Sequence, residues 1–522
     1  MHTSAMRRMG WFVENYIPRD KPVSILDVGS YNVNGCYKDL FKSYPLVTYT
    51  GLDMAKGPNV DYAPEDPYIW KDLRDNSFDF VISGNAFEHI EFPWLTIKEI
   101  ERVLKPSGVA CILAPFAHVE HRYPTDCYRY YPDGFIALAK WAGLTVIESK
   151  DSAASAVFTS NKVVAAPIIH TKEMIKGGKI SLVVVNSGNA NCFTGQDGID
   201  DCDRTIAFAS GITGIPSSEI ATASTGVIGR KMPMGIILPL VEESISKLEH
   251  SAESSTDAAK SIMTTDTYHK EFAVETEIGG EKVRIGGITK GVGMIAPNMG
   301  TMLCFLATDA VISSEMINKA LKSAVNRSFN MIVVDGDQST NDTAILMANG
   351  KSGVEVAKDG EINDDFQKAL DFICISLAKM MARDGEGATK FIECKVNGAK
   401  DENDAILASK SVISSSLVKS AIFGGDPNWG RIVAAVGYSG CEMNQNMISV
   451  SVNSGDGKEA ILVDKGKILA FDGTEELNSA EEIMQEKTVN IVVDLYQGDA
   501  SATAWGCDLT YDYVKINAEY TT

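Results

Sequence analysis

Histidine is nearly absent from the last two-thirds of this 522-residue chain. Beyond residue 150 only His170, His250 and His269 occur, and none sits in a glycine-rich motif. A Ser–His–Asp or Cys–His arrangement is therefore poorly supported. No H-E-x-x-H and no clustered cysteine and histidine point to a metal. A hydroxyl can instead be activated by the free α-amine of its own residue. That amine has an ordinary pKa of about 7.7–8.0, so it can take a proton at neutral pH. The device needs an internal Thr, Ser or Cys that becomes an N-terminus by cleavage. The segment KGVGMIAPNMGT (290–301) meets the need. Gly300 can adopt the strained backbone of an N→O acyl shift, and Thr301 leads into MLCFLATDA, which reads as a buried strand. On these residues alone, an ordinary glycine-rich turn before a strand is the simpler explanation, and both readings stand.

A second set of chemistry-bearing residues lies near the start. Asp27-Val28-Gly29 ends an apolar run, and the turn Ser30-Tyr31-Asn32-Val33-Asn34-Gly35 follows it. Glycine lets a backbone approach a ligand closely, and helix N–H groups then face it. Asp53 ends the next run, where a carboxylate can accept both ribose hydroxyls. Glu88-His89-Ile90 follows the third. His89 is read as a structural or shielding histidine ahead of a general base. The glycine turn departs from G-x-G-x-x-G, so by itself a plain strand–helix turn explains it equally well.

The elements that must carry these residues fall into two textures. Strand patterns at VSILDVG (23–29), YTGLDM (49–54), FDFVISG (78–84) and GVACILAPF (108–116) alternate with a helix pattern at PWLTIKEIERVLKP (93–106). This is the texture of βαβ units. After Lys150, glycine-rich turns separate short β-rich runs: SLVVVNSGNANC (181–192), EIATASTGVIG (219–229), ITKGVGMIAPNMGTMLCFLATDA (288–310) and NMIVVDGDQSTNDT (330–343). EEIMQEKTV (481–489) reads as helix. No linker separates the two textures. A chain of this length suggests two to four units at about 150 residues each.

Bulk composition bounds the function. Hydrophobic residues make up 45% and charged residues 22%, which is ordinary for a globular protein. Acidic residues outnumber basic ones by 69 to 48, for a net charge of −21. That argues against nucleic-acid binding, which needs a basic face. An anionic small substrate would need a local cation such as Lys290. Ten single cysteines without a C-x-x-C pair read as reduced thiols. No apolar run reaches the ~20 residues of a membrane span, and the N-terminus lacks the apolar core of a signal peptide. The expectation is a cytoplasmic protein without a membrane or nucleic-acid partner.

The ordered set ILDVG, GLD, FDFVISGNAFEHI and RVLKPSG resembles class I S-adenosylmethionine-dependent methyltransferases over residues 1–148. The resemblance implies a doubly wound, Rossmann-like domain. It places Asp27 and Gly29 by the amino-acid part of S-adenosylmethionine and Asp53 by its ribose. From VFTSNKVVAAP (157–167) onward the chain resembles the ornithine acetyltransferases, also called glutamate N-acetyltransferases. NSGNANC (186–192), STGVIG (224–229), SFNMIVVDGD (328–337), STNDT (339–343), DGEGATK (384–390), FGGDPNWGRI (423–432) and DLTYDYVKINAEYTT (508–522) match in order. That family is a layered α/β sandwich that cleaves itself. The division is set at 1–150 and 151–522, the second part cut into 151–300 and 301–522. At the join the first part is expected to lack its last strands and the second its first.

Residue by residue, the resemblance implies that Thr301 is the nucleophile after a cut at Gly300–Thr301. Thr225 and Gly226 form the oxyanion hole. Thr267, Lys290, Thr301, Glu386, Asn517 and Thr522 line the substrate site. The implied reaction moves an acetyl group from N2-acetylornithine to glutamate, in arginine biosynthesis, by a ping-pong route. It needs no cofactor, with acetyl-CoA as a donor in some relatives. The implied assembly is a heterotetramer of two α and two β chains. Two other readings remain: an aminopeptidase-like amide hydrolase, and a non-catalytic defective fusion that only binds.

Overall fold

Ile25 and Leu26 are adjacent in sequence and both wholly buried, so their strand is covered on both faces. Such a strand belongs in a parallel sheet with helices on each side. The computed structural model describes residues 3–32, 36–84, 86–90, 93–113, 145–296, 302–455 and 457–519, in two compact units, Met1–Gly143 and Leu144–Thr522. In the first unit, β1 (Val23–Val28), β2 (Val47–Leu52), β3 (Phe78–Gly84) and β4 (Leu104–Leu113) form a parallel sheet in the order β2-β1-β3-β4. Ile25 and Ile82 pack on Met9, Phe12 and Val13 of the helix Thr3–Tyr16. Leu26, Val28 and Val81 pack on Ile100 and Val103 of the helix Pro93–Val103. The unit is doubly wound, as expected. Its strand order turns at the carboxyl ends of β1 and β3, where open α/β sheets bind ligands.

The second helix stops earlier than its sequence pattern suggests. It ends at Val103, and Leu104 already pairs with Phe78 in β4. Pro106 disfavours helix at the residue before it, and Lys105 reaches both oxygens of Asp79 at 2.9 Å. Residues 114–116 of the expected fourth strand lie outside the described residues.

The second unit is mixed α/β in layers. A three-stranded sheet has the order β5-β7-β8, with β5 Thr145–Glu148, β7 Leu182–Asn186 and β8 Ile220–Ser224. A five-stranded sheet has the order β6-β13-β11-β10-β9, with β6 Ala153–Phe158, β9 Lys270–Ile278, β10 Glu281–Lys290, β11 Leu303–Thr308 and β13 Thr343–Ala348. A seven-stranded sheet has the order β12-β21-β16-β20-β17-β18-β19. Its strands are β12 Ile332–Val333, β16 Phe391–Ala399, β17 Ser449–Asn453, β18 Glu459–Asp464, β19 Lys467–Ile468, β20 Thr488–Asp494 and β21 Ala500–Cys507. A short hairpin, β14 (Ala357–Lys358) and β15 (Glu361–Ile362), completes the set among the described residues. Two strands thus stand at the start of this unit: β5 pairs with β7, and β6 pairs with β13.

Period-two alternation sorts the five-stranded sheet between two cores. Leu303 and Phe305 of β11, with Ile345 and Met347 of β13, face Val183, Val185, Ala221 and Ala223 of the three-stranded sheet. Cys304, Leu306, Ala344 and Leu346 face the other core, shared with the helices Ser314–Arg327 and Asp364–Arg383. The seven-stranded sheet joins that core through Ile392, Cys394 and Ile491. Leu182 and Val184 turn outward to the helices Gly195–Thr213 and Met234–Ser246. EEIMQEKTV is only partly helical, because the helix Glu475–Ile483 ends inside it and Thr488 opens β20. No single described helix is long and apolar enough to cross a membrane.

Leu306 is wholly buried in the middle of this arrangement. Leu306→Ala should cost about 2–5 kcal/mol of stability, read as a lower urea midpoint for the full chain. A loss under about 1 kcal/mol would mean that the centre of the sheet is not packed as described.

Candidate active site

Three glycine- and asparagine-rich segments are tied together before any cavity forms. Asn341 donates from Nδ2 to the carbonyls of Ala190 at 2.7 Å and Ser224 at 2.8 Å. Asn186 Nδ2 reaches the Asn189 carbonyl at 2.8 Å, and the Ser224 hydroxyl donates to Asn186 Oδ1 at 2.5 Å. Gly226 then sits where a side chain cannot. Its φ is +128°, and a Cβ there would fall 2.2 Å from the carbonyl carbon of Gly188. NSGNANC, STGVIG and STNDT thus build one wall. Thr159 supports it by donating to the Ser339 carbonyl at 2.7 Å.

The opposite wall comes from β10 and the chain's last helix. Asp335 accepts from the backbone N–H of Met294 at 2.5 Å and of Ile295 at 2.8 Å, which fixes the loop after Lys290. Glu386 donates its backbone N–H to Val292 at 2.8 Å. Gly387, at φ +66°, lets the helix Tyr511–Glu519 approach, since a Cβ there would lie 2.6 Å from the Tyr513 nitrogen. Asn517 of that helix donates to Glu386 Oε2 at 2.9 Å, and Thr265 donates to Oε1 at 2.6 Å.

Between the walls lies a cavity of about 300 Å³. Thr225, Gly226, Lys290, Glu386 and Asn517, all expected from the sequence, line it together. Lys290 is 3% exposed and donates to Thr225 Oγ1 at 3.1 Å and to Thr264 Oγ1 at 2.8 Å. Burial pushes its ammonium below the usual lysine range, and Asp266 opposes that most strongly. Thr267 is not on the cavity. Its N–H is held by Asp384 at 3.0 Å and its hydroxyl also bonds Asp384, while Thr264 and Thr265 take the lining positions. Gly300, Thr301 and Thr522 lie outside the described residues. The residue after Thr301 is described: Met302 donates its N–H to Asp342 Oδ1 at 2.9 Å. The other oxygen of Asp342 has no partner among the described residues, and burial pushes this carboxyl well above the usual range. FGGDPNWGRI is elsewhere, ending one helix at Gly425 and capping the next at Asn428.

The pattern of the ArgJ family matches residues 137–522. The chain belongs to the ArgJ family. It is 52% identical over 381 residues to the glutamate N-acetyltransferase of Methanothermobacter thermautotrophicus, covering 73% of this chain and 93% of that protein. It is 50% identical over 398 residues to the glutamate N-acetyltransferase of Methanocaldococcus jannaschii, covering 75% and 98%. Among solved structures, the arginine biosynthesis bifunctional protein ArgJ of Bacillus halodurans is 43% identical, with a TM-score of 0.38 over 41% of this chain and 98% of that one. The ArgJ region is preceded by a match to a methyltransferase domain at residues 41–112, which contains Asp53 but begins after Asp27 and Gly29.

In the unit ahead of the ArgJ region, the residues fit S-adenosylmethionine in part. Asp53 is half-buried just past β2; it accepts from Tyr31 N at 3.0 Å and Ala55 N at 3.3 Å, with lone pairs to spare for a ribose. Gly29 has φ +82°, and a Cβ there would meet the Ala86 side chain at 2.2 Å, so the backbone lies open only to glycine. Asp27 is different. It is 2% exposed, its Oδ2 takes the Tyr49 hydroxyl, and its Oδ1 has no partner among the described residues. Burial pushes its pKa up to about 7, with Asp53 adding to the rise and the Tyr49 hydrogen bond opposing it.

Asp27 therefore holds a proton in the folded state that the unfolded chain gives up near pH 4. Folding loses stability as pH rises from about 4 to about 7, and the loss is constant above. Asp27→Asn should gain about 1 kcal/mol or more over wild type at pH 8 and little at pH 4.5. Melts at the two pH values check this, and an equal difference at both would sink it.

Proposed function

We propose that this chain transfers an acetyl group from N2-acetylornithine to L-glutamate, as a step of arginine biosynthesis. The observation that carries the reading is the convergence of Thr225, Gly226, Lys290, Glu386 and Asn517 on one cavity. The names of the relatives, glutamate N-acetyltransferases over nearly their whole length, support it.

The chain first cuts itself. The Thr301 hydroxyl attacks the Gly300 carbonyl, the Gly300–Thr301 amide breaks to an ester and frees the Thr301 amine, and water then releases the Gly300 carboxyl and the Thr301 hydroxyl. That amine is the base the histidine-poor region otherwise lacks. In transfer, Thr301 Oγ attacks the acetyl carbonyl while the amine takes its proton. The Thr225 hydroxyl and Gly226 N–H stabilise the oxyanion. The carbon–nitrogen bond breaks, the proton passes to the leaving ornithine, and acetyl-Thr301 remains. The amine of glutamate attacks it in turn, which makes the route ping-pong. Lys290 pairs with an α-carboxylate, and Glu386 receives the cationic side chain of ornithine. No cofactor takes part; acetyl-CoA is a possible second donor. The cut halves are read as two α and two β chains in one heterotetramer in the cytoplasm. The amide-hydrolase reading keeps the same nucleophile with water as acceptor, and the defective-fusion reading requires an uncut chain.

Thr301→Ala should give an uncut chain without acetyl transfer, and Thr301→Ser a chain that still cuts but transfers at a different rate. Mass spectrometry of the wild type should find a fragment beginning Thr-Met-Leu-Cys. An intact chain that transfers acetyl groups at full rate would falsify both the cut and the base.

The first unit is read as an S-adenosylmethionine-dependent methyltransferase that supplies a second activity. S-adenosylmethionine, when bound, supplies the methyl group; Asp53 would hold its ribose and Gly29 would let the backbone come close. Calorimetric titration of the full chain with S-adenosylmethionine should give saturable heat that Asp53→Ala weakens about tenfold or more. Folded protein that gives no heat would end this reading.

A further inference from the structure

Lys290 has a problem that its own hydrogen bonds do not solve. Its ammonium is buried, and the acceptors it touches, the hydroxyls of Thr225 and Thr264, are neutral. A buried cation without an anion sheds its proton or loses stability. Among the described residues, four charged groups act on it. Lys270, on β9, opposes the charge; Asp266, ahead of β9, Glu386, after the helix Asp364–Arg383, and Asp342, ahead of β13, favour it. Glu386 is engaged by Thr265 and Asn517. Asp342 is itself driven toward its neutral form by burial. Asp266 favours the Lys290 charge most strongly.

Asp266 is also built into the frame around Lys290. Its Oδ1 accepts from the N–H of Gly291, the residue after Lys290, at 3.0 Å. Its Oδ2 accepts from the N–H of Thr264, the residue whose hydroxyl takes a Lys290 proton, at 3.1 Å. Lys270 bridges Asp266 at 2.7 Å and Asp384 at 2.6 Å, all three side chains being buried. Of the two carboxylates on Lys270, Asp266 is the one that also favours the Lys290 charge and holds the residue after it.

We propose that Asp266 is a positioning residue for acyl transfer: its charge and its two backbone hydrogen bonds keep Lys290 an ammonium ion aimed into the cavity. This rests on the reading above, in which Lys290 pairs with the carboxylate of the acetylated donor. Asp266 touches no substrate and acts through Lys290, Thr264 and Gly291. Because only charged Lys290 binds the carboxylate, kcat/KM for N2-acetylornithine falls as pH rises through the Lys290 titration. Removing the Asp266 charge makes Lys290 shed its proton sooner, so that alkaline limb moves to lower pH.

The test uses the full, self-cleaved chain with cleavage checked on a denaturing gel. Asp266→Asn should raise the donor KM about tenfold or more at pH 8 and move the alkaline limb down by about one pH unit or more. Asp266→Glu, which keeps the charge, should leave the limb at the wild-type position. Asp384→Asn breaks the same buried bridge without touching Gly291 or Thr264, and should not move the limb downward. An unmoved limb in active Asp266→Asn, or an equal downward shift in Asp384→Asn, overturns the proposal. If Asp266→Asn does not fold, Asp266→Glu and Asp384→Asn decide: a downward limb in either overturns it, and limbs at the wild-type position while melting temperatures fall support it. Wild type that transfers no acetyl group at any pH tells against the functional reading instead; transfer with an unmoved limb in Asp266→Asn tells against Asp266 alone.

Discussion

Lys290 and Leu303 face each other across the β10–β11 ladder. The chain thus leaves the sheet at Lys290 and re-enters it at Leu303, on the same rung. Neither strand is free to slip. Both lie inside the five-stranded sheet, and a one-residue shift would exchange Leu303 and Phe305 with Cys304 and Leu306 between two filled cores. Gly287 adds a second pin, since a Cβ there would lie 2.4 Å from the Leu306 side chain. The position of the cavity follows from this register. Met302 starts where β10 ends, its N–H is taken by Asp342, and its carbonyl takes the N–H of Thr343 at 3.0 Å.

Charge is buried here at a cost that stability alone does not repay. Lys270, Asp266, Asp384, Lys290 and Asp342 are all buried. Apolar side chains of similar volume would fill the space at least as well. The arrangement makes sense as a way to keep one buried cation beside two hydroxyls at the cavity. The net charge of −21 plays no part in this, because the effect depends on the few groups within the low-dielectric wall.

Much of this was legible in the sequence, for reasons that differ by element. β1, β3, β7, β8 and β11 are apolar runs bounded by glycine or turn residues, and a run buried on both faces leaves few alternatives. Thr225, Gly226, Lys290, Glu386 and Asn517 were named by the resemblance of the ordered motifs to the ornithine acetyltransferases, and Asn517, between Ile516 and Ala518 in a helix, carries no local signal of its own. The substrate-side threonine was less legible. Thr264, Thr265, Asp266 and Thr267 follow one another in a loop without periodicity, so no pattern says which hydroxyl turns inward. Asp384, at the end of a distant helix, decides it by holding Thr267. Asp266 itself was hard to see for a related reason: nothing in the loop marks its bond to Gly291, 25 residues on. A weak signal existed in Asp266 and Lys270, an acid and a base four residues apart in a segment otherwise poor in charge. Helix ends were the other weak point, at Val103 and Ile483, where a following strand captures residues that helical spacing would also accept.

The direction of the hydrogen bonds supplies the last step. An ammonium donates and cannot accept, so the bonds from Lys290 make Thr225 Oγ1 and Thr264 Oγ1 acceptors. A hydroxyl that accepts from a lysine keeps its own hydrogen for another partner. The backbone N–H of Thr225 is taken by the Asn186 carbonyl at 3.0 Å, which leaves the hydroxyl as that residue's donor toward the cavity. Among the described residues, two of the three Lys290 hydrogens are used, and the third is left for an anion. One cation thus sets the polarity of two hydroxyls and keeps a donor in reserve. A neutral amine at the same position could reverse either bond, and Thr225 could then present a lone pair where a developing oxyanion needs a hydrogen. On the proposed reading, the charge state of Lys290 would govern both the hold on a carboxylate and the orientation of the oxyanion donor, so the buried anion behind it would matter to the chemistry as well as to binding.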